Sequence, residues 1–241
     1  MDFLLMEKKH FEQLSKEVDQ LKFQEVLDNF KVKYAYDAVH VEGTNSITLD
    51  EAFTLQRVSS SSKVSETEQK ELLNHIKAFE MVLHAVDNNI PMSEDLIKDV
   101  HQQILDGIMP GGLYRQVNVG LIGSIHQPPD YVKVYDRMRR MMNHLDFEFS
   151  GNTIEKAAYI HLSIAKIHPF LDGNGRLGRL MMNYYLMADG YLPISINDKV
   201  KHEYFEALDQ FKLEKSSKKL ETIIKNLLLK RYEEVNKELE A

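Results

Sequence analysis

His168-Pro169-Phe170-Leu171-Asp172-Gly173-Asn174-Gly175-Arg176-Leu177-Gly178-Arg179 gathers a histidine, a carboxylate, a glycine-rich bend and two arginines into one loop and the start of the next helix. Leu177, Leu180, Met181 and Tyr184 follow at i, i+3, i+4 and i+7, the spacing of one helix face, so the bend lies at a helix N-terminus. Unpaired amides and the macrodipole favour an anion there. Gly173 and Gly175 flank Asn174, and residues without Cβ let backbone N–H groups come close to a phosphate. Arg176 and Arg179 lie three apart and project from nearly one face, with planar forks suited to phosphate oxygens. Asp172 is a hard oxygen ligand, and Mg²⁺ is usually held by one or two carboxylates plus the substrate's own phosphates. His168, stopped from continuing a helix by Pro169, is the side chain here whose ordinary pKa permits proton abstraction near neutrality.

Taken singly, each feature reads as an ordinary turn, cap or solvated charge. Together, His168, Phe170, Asp172 to Arg176 and Arg179 match the signature H-x-F-x-[DE]-G-N-G-R-x-x-R at every fixed position, and the chain therefore resembles the Fic family. That resemblance implies a mainly α fold, a helical bundle with a short β-hairpin flap over the active-site cleft. It also implies transfer of AMP from ATP to a Ser, Thr or Tyr hydroxyl of a target protein or of the chain itself, with release of pyrophosphate. By the same resemblance His168 is the base, Phe170 a core anchor and Asp172 the Mg²⁺ ligand. Gly173, Asn174 and Gly175 form the phosphate cradle, and Arg176 and Arg179 hold the β- and γ-phosphates.

The composition suits such an enzyme. The chain has 241 residues, 43% apolar and 28% charged, enough for one substantial core. No run of apolar residues is long enough to cross a bilayer, and the start MDFLLMEKK lacks a secretory apolar region, so no membrane partner and a cytoplasmic location are expected. Absence of Cys excludes disulfides and thiolate chemistry. A formal charge of -7, with no helix-turn-helix element after Phe211, argues against nucleic acid as a partner.

Helical patterns dominate the rest. Phe11, Leu14, Val18 and Leu21 mark one amphipathic N-terminal helix, and Leu72, Leu73, Ile76, Phe79, Val82, Leu83 and Val86 another. Thr48 and Glu51 form a capping box ahead of a helix towards Arg57, with a loop at Ser59 to Ser62. Ser93 caps a helix carrying Leu96, Ile97, Val100, Ile104 and Leu105. Met138, Met141, Met142 and Leu145 stripe a further helix as core, and Thr153 to Ile167 lead into the motif. Leu220 to Tyr232 stripe a C-terminal helix whose last turns, rich in Glu and Lys, should be solvated.

Between these helices, residues 113–129 alternate Val117, Val119 and Leu121, then offer Gly123-Ser124 as a turn. A hairpin over about 114–128 follows. The family resemblance makes it the flap, in which Gly120, Leu121, Ile122, Gly123 and Ser124 would dock a target segment by adding its backbone as a strand.

Val41-Glu42-Gly43-Thr44-Asn45 read alone is a helix ending at a glycine. Against the family it is similar to the inhibitory element [ST]-x-x-x-E-[GN], matched at Glu42 and Gly43 and departing at Ala38, where Ser or Thr is expected. The resemblance implies that Glu42 enters the ATP site and ion-pairs with Arg179.

These readings divide the chain into N-terminal helices over 1–60 with an inhibitory helix at about 31–43, a Fic core over 61–212 with the motif loop at 168–179, and a C-terminal helix over 213–241. Competing activities are removal of AMP from a modified protein and use of another nucleotide donor. A non-enzymatic reading is a nucleotide-binding interaction module. A homo-oligomer that hides or frees the Glu42 helix would add a layer of control.

Overall fold

A computed structural model describes residues 3–43, 45–58, 64–121 and 127–241, and every regular element among them is helical. In chain order the α-helices are α1 (Phe3–Glu17), α2 (Gln20–His40), α3 (Leu49–Val58), α4 (Glu66–Asp87), α5 (Glu94–Ile104), α6 (Val134–Asn143), α7 (Thr153–Ile167), α8 (Asn174–Ala188), α9 (Lys201–Glu214) and α10 (Lys218–Glu240), with a short 3-10 helix, Tyr131–Lys133, leading into α6. A π-helical turn, His144–Glu148, extends α6.

The helix signals in the sequence account for several boundaries. Ser93 accepts from the Leu96 N–H at the start of α5, and Asn152 and Glu155 form a reciprocal capping box on α7. Thr48 and Glu51 do the same for α3, with the Thr48 N–H donating to Glu51 at 2.9 Å.

Helices α7 and α8 pack against each other and lie between two cores. Ile160, Ile164 and Ile167 of α7 join Leu177, Leu180 and Met181 of α8 in a core shared with α4, α5 and α6. The other faces, Ala157, Ala158 and Leu162 with Met182 and Leu186, join α1, α9 and α10. Each fully buried Leu, Ile or Phe stabilises by about 1.5–3 kcal/mol relative to exposure. The six-residue link between α7 and α8, 168–173, is therefore held between two helices that are each buried in both cores.

Three expectations are corrected or bounded. The N-terminal segment is two helices, because Asp19 caps α2 by accepting from the Leu21 N–H; Leu21 then points away and is 78% exposed. The last turns of α10 are not solvated on all sides: Val235 and Leu239 are buried in the core that holds Leu4, and Asn236 donates to the Glu7 carbonyl of α1. No strand occurs among the described residues, so the hairpin expected over 114–128 has no backbone ladder there. The two stems are tied by side chains instead: Arg115 donates to the Val117 and Pro129 carbonyls, and Asn118 accepts from the Tyr131 N–H at 2.8 Å. Ile122, Gly123 and Ser124, like the loop Ser59 to Ser62, lie outside the described residues. The Met138, Met141 and Met142 cluster is core, as its spacing indicates.

Candidate active site

The loop between α7 and α8 is built by a stop, a floor and a brace. Helix α7 ends where His168 adopts a left-handed conformation at φ 50°, its N–H still bonded to the Ile164 carbonyl, and Pro169 prevents continuation. Phe170 is fully buried and lies flat on the His101 ring, centroids 3.6 Å apart. Asn174 turns its side chain back to the loop, accepting from the Phe170 N–H and donating to the Phe170 carbonyl, both at 3.0 Å. Its amide is thus spent on closing the bend, and its backbone starts α8. Gly173, at φ +73°, takes a backbone conformation that only glycine adopts without cost.

Arg115 clamps the loop from outside. It is 3% exposed, its Nε donates to the His168 carbonyl at 2.8 Å, and its backbone N–H donates to the Pro169 carbonyl at 2.9 Å. The His101 ring meets the Asp172 carbonyl at 2.8 Å.

His168 is partly buried, and burial, assisted by the Arg115 and Lys212 cations, lowers its pKa to about 4. Its ring also bonds to the Ala165 carbonyl. A neutral imidazole with one nitrogen donating to a carbonyl keeps a lone pair on the other nitrogen, the form a base needs.

Glu42 reaches the same place from the end of α2. That helix is anchored by buried Asp37, which accepts from Ser195 Oγ at 2.7 Å and from Lys33. After His40 the chain makes one more turn, with the Gly43 N–H donating to the His40 carbonyl and Gly43 at φ +75°. Asn45 and Ser46 then bind α4: Asn45 donates to Glu71 at 3.0 Å, and Ser46 donates to Glu68 through its hydroxyl and its N–H. The Ser46 hydroxyl and N–H, with the Ser65 hydroxyl, hold the Glu68 carboxyl down at about 2.

Between these anchors the Glu42 carboxylate spans both motif arginines, 3.0 Å from Arg179 Nη2 and 3.4 Å from Arg176 Nε. Arg179 is fully buried and donates besides to the Ala38 carbonyl at 2.9 Å and to the Tyr204 hydroxyl at 3.2 Å. Position 38, where the inhibitory pattern expects a hydroxyl, thus contributes its backbone. Tyr204 passes its proton towards His161 Nε2 at 3.0 Å, which completes the orientation of Arg179. Arg176 faces Asp172 at 2.9 Å and Glu71 at 3.8 Å. The Nε atoms of both arginines are buried without a hydrogen-bond acceptor among the described residues.

A cavity of about 320 Å³ opens on this cluster, and its lining includes Glu42, His168, Gly175 and Arg179 as well as the apolar Leu121, Phe205 and Leu208. His168, the bend, Arg179 and the Glu42 carboxylate are therefore brought together, and Leu121 borders them. Gly120 has open space around it. Asp172 does not line this cavity; it is more than half exposed and borders a neighbouring one with His101 and Arg115, and no group of three or more metal-ligating side chains occurs among the described residues. A single exposed carboxylate fits a cation that arrives with phosphates as its other ligands, not a cage built by protein alone.

Residues 91–186 match the model of the Fic/DOC family. The chain carries a Fic domain. It is 29% identical to the protein adenylyltransferase Fic of Culex quinquefasciatus over 84% of this chain and 43% of that protein. It is 31% identical to the protein adenylyltransferase Fic of Drosophila persimilis over 73% of this chain and 35% of that protein. The chain thus spans less than half the length of these relatives. In fold it is similar to a Fic domain-containing signaling protein from Bacteroides thetaiotaomicron, with a TM-score of 0.88, 21% identity, and 99% of this chain and 97% of that one covered. Within the Fic domain, Arg115 and His101 escaped the sequence reading, since a lone arginine after Gly-Gly and a lone histidine in an amphipathic helix carry no periodic signal. Glu71 and Tyr204 gave no spacing that ties them to Arg176 and Arg179.

Proposed function

We propose that the chain is a protein adenylyltransferase held inactive by Glu42. The observation that carries this reading is the position of the Glu42 carboxylate on both Arg176 and Arg179, in the cavity that His168 borders. A guanidinium engaged by a carboxylate is not available to a terminal phosphate. A nucleotide bound beside Glu42 takes a shifted pose, and a displacement of about 1 Å costs ~100-fold in rate where catalysis rests on positioning.

With Glu42 withdrawn, the triphosphate lies over the N-terminus of α8. Its outer phosphates take Arg176, Arg179 and the amides of Gly173 to Gly175, and its base lies towards Phe205 and Leu208. Asp172 would hold Mg²⁺ together with the phosphates, and the ion would supply charge neutralisation on the phosphate oxygens. The target hydroxyl approaches Pα on the His168 side. Its oxygen forms a bond to Pα, the bond from Pα to the bridging oxygen breaks, and pyrophosphate departs on the two arginines. The proton passes to the free nitrogen of His168. A base with so low a pKa accepts the proton only as the hydroxyl bonds to phosphorus, when its acidity rises. The stretch that contains Leu121 borders the acceptor side and places the target segment.

Glu42→Gly protein, incubated with Mg²⁺ and each of ATP, GTP, CTP and UTP and analysed by intact mass, tests both activity and donor. A mass increase of one AMP from ATP supports the reading. An increase from another nucleotide alone moves the assignment to that donor, and none with any nucleotide rejects transferase activity. Release of AMP on adding AMP-modified protein would mark the reverse reaction instead.

A further inference from the structure

His101 on α5 is buried, ionisable and unused by the chemistry above, yet its ring lies beneath the bend that cradles the phosphates. Two contacts fix its protonation. The Gly112 N–H, which can only donate, points at Nδ1 at 2.9 Å, and the Asp172 carbonyl, which can only accept, lies 2.8 Å from Nε2. Nδ1 therefore carries the lone pair and Nε2 the proton. The ring is 1% exposed and clamped flat on Phe170, so this orientation is rigid.

The consequence follows from the planarity of the peptide. The Asp172–Gly173 bond is trans, so the Asp172 carbonyl and the Gly173 N–H point in opposite directions. A donor that holds the carbonyl down towards α5 turns the Gly173 N–H the other way, away from α5. A Cβ on Gly173 would lie 3.3 Å from His101 Nε2, which shows how closely the ring supports this one peptide.

We infer that His101 is a positioning residue, whose Nε2 proton sets the Asp172–Gly173 peptide so that the Gly173 amide and the Asp172 carboxylate are presented to the nucleotide phosphates. This role rests on the adenylyltransferase reading. Precise presentation of both groups comes from a rigid helix rather than from the loop itself.

The two side-chain amides separate this role from packing. Glutamine can place an N–H where Nε2 stands, whereas asparagine reaches only the Nδ1 position. The experiment compares His101→Gln and His101→Asn, each in the Glu42→Gly background, by pyrophosphate release with ATP and Mg²⁺. Hydrogen exchange of the peptide spanning 168–179 is followed in the same proteins. His101→Gln is expected to keep kcat within ~3-fold of the parent and to keep the exchange protection of the bend. His101→Asn is expected to lose ~30-fold or more in kcat with a smaller change in KM for ATP, and to exchange faster at the bend. Equal losses in the two variants, with equal exchange at the bend, would overturn the inference in favour of simple packing. The exchange comparison needs no turnover. Should the Glu42→Gly parent release no pyrophosphate, the functional reading fails, while the exchange result still decides whether His101 sets the peptide.

Discussion

Glu42 and Arg179, separated by 137 residues in sequence, meet at 3.0 Å between Oε1 and Nη2 at the end of the cavity that His168 borders. Arg179 keeps its place without Glu42, because the Ala38 carbonyl and the Tyr204 hydroxyl also accept from it. Removing the carboxylate should therefore free a guanidinium that is already oriented, not release a disordered one.

Asp172→Asn tests the cation site. The substitution keeps the shape and loses the charge, so kcat in a Glu42→Gly background should fall at least ~10-fold with partial recovery at high Mg²⁺. Chelation with EDTA should abolish turnover of the parent. Full activity in EDTA would remove the ion from the account.

Acid should destabilise the protein before it titrates carboxylates. His101 and His168 have pKa values lowered to about 4 and His161 to about 3, chiefly by burial, and His75 is also held well below its ordinary value. A folded value below the unfolded one, near 6.5, means that the unfolded chain binds more protons. Stability is thus fully present above about pH 6.5 and is lost as pH falls towards 4, by up to about 1.4 kcal/mol per pH unit for each such group. Thermal melting at pH 7, 6 and 5 checks this. A Tm that does not decline across that range would show these rings to be solvated.

The same shift sets the acid limb of activity. His168 must be neutral to accept a proton, so kcat/KM of the Glu42→Gly protein should decline only near pH 4–5, well below the limb an ordinary histidine gives. Rapid pH-jump assays, short relative to unfolding, separate this from loss of fold.

Gly178 occupies a variable position of the motif but has no room for a side chain. A Cβ there would lie 2.2 Å from His161 Nδ1, and that ring is buried and stacked on Tyr204. Gly178→Ala gains about 1 kcal/mol of helix propensity and loses about 1–3 kcal/mol to overpacking. Overpacking should win, because the ring cannot retreat, and the variant should melt several degrees lower. A higher Tm would show that the His161 side chain has space to move.

The motif and its placement between two helices could be read from residue types and spacing, because signature and helix periodicity are local. The pairing of Glu42 with Arg179, 137 residues apart, comes only from the family resemblance, since the spacing alone reads as a helix ending at Gly43. What could not be read depends on tertiary neighbours. Arg115 lies far from His168 in sequence, and only the fold turns its guanidinium onto the His168 carbonyl. Asn174 is expected in the phosphate cradle, but that its side chain also closes the loop on Phe170 could not be read from the sequence. The late turns of α10 carry enough charge to suggest solvent on all sides, but Val235 and Leu239 alternate with those charges and meet the core that holds Leu4. The strand expected through Val117 and Leu121 followed a correct period-two pattern, while Arg115 and Asn118 supply the ties that a ladder would otherwise make.

The most direct test of the account is AMP transfer from labelled ATP with Mg²⁺ by the wild-type chain, Glu42→Gly and Glu42→Gly with His168→Ala. The account predicts little incorporation in the first, at least ~100-fold more in the second and none above background in the third. Equal labelling of the wild type and Glu42→Gly, or undiminished labelling without His168, would contradict it.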